Sequence, residues 1–332
     1  MNRGRPRSAG ADVDDGPGRV LAVAIAGDVA IAACKFGAAA LTGSSAMLAE
    51  GVHSLADIGN ELLLAYGQRR GRRAIDQWHP FGYGKATYVW SLLVALSVFC
   101  VGGGITLHGG LVGLTTHPVT LSQPWWNYGV LAVAAAFEAW SLVVTRQELG
   151  RHRRPGESLW HAAQRNMDVL IYTVFVGDCA ALVGLVVAAL GVGLSHAFAS
   201  RFFDPAAAIL IGVVMIASAA LLVRKSVGLL VGESMAGDQL ALLRKIIGAD
   251  PAVESVGHLQ TMQLGSERML LTAAVRFQRR LSLDEVEQAI VRLEQAIRAP
   301  FPAIEHLYLE SGALKQAAHA ASAVARQAAP AA

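Results

Sequence analysis

Charge is scarce in this sequence. Only 16% of its 332 residues are Asp, Glu, Lys or Arg, against about 25% in an ordinary soluble domain. Too few ionic groups remain to wet a folded surface, which counts against a soluble enzyme. Cysteine is nearly absent: Cys34, Cys100 and Cys179 are too few and too scattered for a disulfide framework or a structural zinc knot. The net charge is only +3 and is dispersed, so no nucleic-acid partner is expected. Apolar side chains are abundant, at 54% of the chain with a mean hydropathy of +0.43. They gather in runs too long for a soluble core, as in a membrane protein carrying something soluble.

A bilayer-spanning helix needs about 20 mostly apolar residues. Six such stretches begin near Val20, Ser45, Lys85, Trp125, Val169 and Phe203, and the last ends near Val223. The first follows a charged, Gly/Pro-containing leader and is too long for the core of a signal peptide. The expected organisation is a leader over 1–19, a six-helix transmembrane domain over 20–224, a small α+β domain over 225–312 and an Ala-rich, disordered tail over 313–332. Arginines cluster in the leader (Arg3, Arg5, Arg7, Arg19) and after spans two (Arg69, Arg70, Arg72, Arg73) and four (Arg151, Arg153, Arg154, Arg165), whereas Thr42 to Ser44 and Leu114 to Pro124 carry no charge. Since Lys and Arg stay on the cytoplasmic side, both ends are expected there. The leader's Asp12, Asp14 and Asp15 do not suit an organelle-targeting segment, so a bacterial inner membrane is expected.

The soluble part reads as helix-strand-strand-helix-strand. A helix around Asp238 to Ile247 precedes strands Val253 to Gln263 and Arg268 to Phe277. Between them, Gly265 is expected in a turn that suits a residue free to take positive φ. Ser282 with Glu285 forms a capping box for a helix through Arg298, and a last strand covers Ile304 to Glu310. This order fits a ferredoxin-like half-sandwich whose open edge or face invites dimerisation.

Ionisable residues inside a membrane are costly and point to function. Span two carries Glu50, His53, Asp57 and Glu61, which fall within roughly an 80° arc of a helix. His53 and Asp57, four apart, meet one turn from each other and make half of a tetrahedral zinc site; a hydrogen bond that fixes helix packing is the alternative. Span five holds Asp178 in an apolar surround, either compensated by a metal ion or protonated and bonded to a backbone carbonyl. Asp28 and Lys35 in span one, seven apart, pair with each other or with Glu50. Together with Glu138 in span four they are candidates for an ion-pair network or a proton relay. Asp76 and His79, three apart in the loop after span two, are enough for a weak metal site, though the Pro and glycines beside them describe a tight turn equally well.

The run Gly43-Ser-Ser-Ala-Met-Leu-Ala-Glu50-Gly-Val-His53-Ser-Leu-Ala-Asp57-Ile-Gly-Asn60 resembles the second span of the cation diffusion facilitators. His79-Pro-Phe-Gly-Tyr-Gly-Lys85, Phe203-Asp204-Pro205 and Leu229-Leu-Val-Gly232-Glu233 match in order and spacing. The resemblance covers residues 20 to 312 and is nearest to the branch with the mitochondrial zinc transporter-like proteins and their bacterial relatives. It implies a homodimeric, proton-driven exporter of divalent metal, a transporter rather than an enzyme, with the metal as cargo and no resident cofactor required. The family takes two ligands from span two and two from span five, each pair four apart. His53 and Asp57 fall on the first pair, and a histidine there goes with zinc. Asp178 falls on one position of the second pair, but its partner position is Val174, which cannot bind metal. Asp168, about three turns from Asp178, is too far away to replace it. His258 and His306 match the regulatory histidines of some members poorly, and no full cluster is expected there. Manganese, iron, cobalt, cadmium or nickel also suits a mixed nitrogen and oxygen site. The competing readings are an intramembrane zinc hydrolase, which lacks a His-Glu-x-x-His motif and a general base, and a non-transporting scaffold.

Overall fold

The computed structural model describes residues 16–116, 124–151, 153, 156–165, 168–266 and 268–311. Most of the leader, the link over 117–123, Arg154 and the Ala-rich tail lie outside the described residues. The helices are α1 (Gly16–Thr42), α2 (Ser45–Gly71), α3 (Ala86–Ser97), α4 (Thr106–Thr116), α5 (Pro124–Arg151), α6 (Leu159–Arg165), α7 (Val169–Ala197) and α8 (Phe203–Val231). A π-helical segment, Val98–Ile105, joins α3 to α4. After α8 come α9 (Gly237–Gly248), β1 (Val253–Gly265), β2 (Arg268–Phe277), α10 (Leu283–Arg298) and β3 (Ile304–Ser311).

Among the described residues, four helices are long and apolar enough to cross a membrane: Ala86–Thr115, Trp125–Gly150, Val169–Ala197 and Phe203–Val231. The sequence reading expects six. α1 and α2 have the length, 27 residues each, but α2 carries its polar stripe together with Arg69 and Arg70.

The chain divides into two compact units. The first gathers the described residues up to Glu61 with Val101–Ala136 and Val183–Val214. Small residues let its helices approach backbone to backbone, as packing in lipid requires. A Cβ at Gly110 of α4 would stand 2.8 Å from Ile209 N of α8, and one at Gly191 of α7 would stand 2.4 Å from the Ala207 Cβ. Gly43, at φ 71°, makes the reversal from α1 to α2, a conformation that other residues adopt at a cost.

The second unit holds Leu62–Cys100, Phe137–Leu182 and the described residues from Met215 onward. Ala95, Leu149, Ala163, Tyr172, Phe175, Val176 and Leu222 form one core within it. A second core lies under a three-stranded sheet of order β1-β2-β3, in which β1 and β2 are antiparallel and β2 and β3 parallel. The parallel pair needs a crossover, and α10 supplies it. Leu243 and Ile247 of α9 and Leu293 and Ile297 of α10 are buried against Leu271, Ala273 and Val275 of β2. The Ser282–Glu285 capping box is present with both reciprocal hydrogen bonds.

Gly265 departs from the expectation placed on it. It ends β1, and among the described residues the positive-φ glycines are Gly43, Gly82, Gly156 and Gly232. Its small size serves close approach: a Cβ there would lie 3.0 Å from Gly84 Cα, and one on Gly84 would lie 2.3 Å from Leu264 O. The β1–β2 hairpin thus meets the loop before α3 backbone to backbone, with no room for a side chain.

Candidate metal-translocation site

The polar stripe of α2 is sorted by its neighbours on α1. Glu50 receives Lys35 Nζ at 2.9 Å, and neither side chain is exposed. The same ammonium donates to Ser54 Oγ at 2.8 Å. Asp28 of α1 has the Glu61 carboxyl as a neighbour. Of the two pairings open in the sequence, Lys35 takes Glu50 rather than Asp28. The Glu50 end of the stripe is therefore tied to α1, and His53 and Asp57 face each other further along it.

His53 is 3% exposed, and its Nε2 lies 3.2 Å from Asp57 Oδ2. Neither ring nitrogen has an aligned hydrogen-bond partner. Buried imidazole nitrogens are ordinarily satisfied, which sets this ring apart from its neighbours on the stripe. Asp57 is only half-buried.

The start of α2 is fixed from far along the chain. Asp204, in the first turn of α8, accepts from Ser44 Oγ at 2.5 Å and from the backbone N–H groups of Ser45 and Ala46 at 2.5 and 3.4 Å. The sequence shows Phe203-Asp204-Pro205 but gives no sign of this target, which is reached only through the fold.

In the second unit, Asp178 is buried on α7, and its Oδ2 accepts from Ser141 Oγ at 2.9 Å and Thr145 Oγ1 at 3.4 Å, both from α5. The sequence reading weighed a backbone carbonyl as its partner; these bonds come from hydroxyls instead. The only signal for them was two hydroxyl residues four apart in an apolar span. Val174 is half-buried one turn before Asp178. Glu138 is half-buried on α5. A further hydroxyl contact, Ser91 Oγ to Ser226 Oγ at 3.0 Å, is fully buried between α3 and α8.

Asp76 and His79 form a turn. Asp76 Oδ1 accepts from the backbone N–H groups of Trp78 and His79 at 3.0 and 2.7 Å, and Oδ2 accepts from Tyr83 Oη at 2.5 Å. The Tyr83 hydrogen bond above all holds the Asp76 carboxyl down at about 2. His306 packs edge-on against Phe81 at 5.1 Å, and His258 is exposed on β1. Among the described residues, no three His, Cys, Asp or Glu side chains gather into a group that could hold a metal ion.

Residues 21–231 match the cation efflux transmembrane domain. The chain therefore belongs to the cation efflux family, the cation diffusion facilitators, whose members are secondary transporters. It is 31% identical over 267 residues to the mitochondrial proton-coupled zinc antiporter SLC30A9 of Xenopus laevis, covering 80% of this chain and 48% of that protein. With the human protein of that name it shares 30% over 279 residues, covering 83% and 49%. With metal tolerance protein C4 of Arabidopsis thaliana it shares 30% over 246 residues, covering 73% and 53%. The chain thus spans about half the length of these curated relatives.

Proposed function

We propose that this protein exports divalent metal, zinc first, out of the cytoplasm in exchange for protons. The observation that carries the reading is His53: a buried imidazole with no aligned hydrogen-bond partner on either nitrogen, 3.2 Å from the Asp57 carboxylate. A cation-efflux membrane domain and relatives named zinc antiporters support it. His53 and Asp57 supply one nitrogen and one oxygen, and Asp178 is the third ligand by residue type and place in span five. α1 and α2 complete six spans. The arginine-rich links support cytoplasmic termini, and a bacterial inner membrane is the proposed location. The α+β segment is a ferredoxin-like domain through which two copies pair.

Metal binding requires deprotonated ligands, so one site can exchange zinc for protons without a separate coupling device. Facing the cytoplasm, the three ligands take zinc and release protons. Facing outward, His53 and a carboxylate take up protons and let zinc go. An empty, fully ionised site is costly within the bilayer, which disfavours its return and makes the exchange obligatory. The Lys35–Glu50 pair lies one helical turn before His53 on the same stripe of α2.

The test is uptake of radioactive zinc into proteoliposomes under an imposed pH gradient. Native protein is expected to accumulate zinc only with the gradient, and His53→Ala and Asp57→Ala are expected to lose uptake. Parallel assays with manganese, iron, cobalt and cadmium read the metal preference. Gradient-independent flux, or full uptake by Asp57→Ala, would overturn the reading.

A further inference from the structure

Threonine hydroxyls within helices commonly bond back to the carbonyl four residues earlier. Thr42 and Thr173 do so, to Ala38 O and Val169 O, each at 2.7 Å. Thr145 is buried to a similar degree, yet its hydroxyl turns to Asp178 Oδ2, which also receives Ser141 Oγ. Ser141 and Thr145 are four apart on α5, so their side chains lie one above the other on one face. Two donors from one helix thus converge on a single oxygen of one buried carboxylate.

We propose that Ser141 and Thr145 are positioning residues that set metal specificity, holding Asp178 Oδ2 so that Asp178 gives a metal ion one oxygen rather than two. This rests on the reading of Asp178 as a ligand. Zinc is satisfied by four tetrahedral ligands, for which a one-oxygen carboxylate is enough. Hard cations gather six or more oxygens, often by taking both oxygens of a carboxylate, and an octahedral oxygen set suits manganese. Val174 supplies no donor, so a two-oxygen Asp178 is one way for this site to raise its oxygen count. The α5 hydroxyls oppose that switch and so discriminate against manganese without touching the metal.

The experiment measures zinc and manganese affinities by calorimetry on the purified full-length protein, alongside uptake of both metals by proteoliposomes. Ser141→Ala and Thr145→Val are each expected to lower the zinc-to-manganese affinity ratio by about tenfold, the size of effect that outer partners of metal ligands commonly have. Thr145→Ser, which keeps the hydroxyl, is expected to restore the ratio that Thr145→Val loses. A ratio unchanged in both hydroxyl-less variants overturns the proposal. So does an equal loss of affinity for both metals, which marks a merely structural role. If Thr145→Val does not elute as a folded protein, Ser141→Ala decides alone. Failure of the native protein to bind zinc overturns the site reading itself, a result distinct from native selectivity that the variants leave unmoved.

Discussion

Lys35 and Glu50 meet at 2.9 Å with neither side chain exposed, whereas Arg298 and Glu294, on α10, meet at 3.9 Å with both nearly half exposed. The charges are the same in kind, but the surroundings differ. In α10, water solvates either ion when its partner is lost, and such pairs are worth about 0–1 kcal/mol. Between α1 and α2 no water replaces a lost partner, so removing one charge leaves the other buried and uncompensated. The consequence of deleting a charge therefore depends on where the survivor is left.

That contrast can be broken by substitution. Lys35→Ala is expected to destabilise the protein by about 3–5 kcal/mol, the usual result of breaking a buried pair, read as a lower unfolding midpoint in detergent. Lys35→Met combined with Glu50→Leu should recover most of the loss, because well-packed apolar residues often replace a buried pair at little cost. A double variant as unstable as the single one would show that packing, rather than charge, dominates there.

A smaller effect is expected where no charge is involved. In Gly84→Ala the added methyl meets Leu264 O at 2.3 Å, and relieving such overpacking typically costs about 1–3 kcal/mol. The measurement is limited proteolysis: cleavage within the β1–β2 hairpin should quicken if the hairpin is lifted off the loop, and an unchanged pattern would mean that the loop yields instead. The smallest effect belongs to Asp76. Its carboxyl is held at about 2 by Tyr83 and by backbone donors, below the value of about 3.9 for an unfolded chain. A depressed pKa stabilises the folded turn above the unfolded value, and that contribution is lost as pH falls from about 4 through about 2. Fluorescence of Trp78, whose N–H bonds Asp76, should follow this transition, and Asp76→Asn should remove it.

Local features were legible in the sequence. The α10 capping box and the ends of β2 come from nearest neighbours along the chain, and so does the α2 stripe, because i to i+4 spacing fixes a helix face whatever surrounds it. Features that depend on distant neighbours were not legible. The partners of Lys35 depend on how α1 lies against α2. Gly265 was read for backbone freedom, while its actual constraint is Gly84, 181 positions away (265 − 84). Ser141 and Thr145 are unremarked hydroxyls until α7 brings Asp178 to them. The π-helical segment Val98–Ile105 differs from an α-helix only in its hydrogen-bond register, and its apolar, glycine-rich sequence gives no sign of that change.

The Asp204 clasp bears on hydrogen exchange. The first amides of a helix ordinarily face water and exchange freely, because no preceding turn offers them a carbonyl. At Ser45 and Ala46 a carboxylate from the start of α8 takes that place. The helix that carries His53 therefore begins at a closed end rather than a fraying one. The first turns of α2 and α8 are thus joined by one carboxylate, and slow exchange at Ser45 and Ala46 would report that the joint is closed.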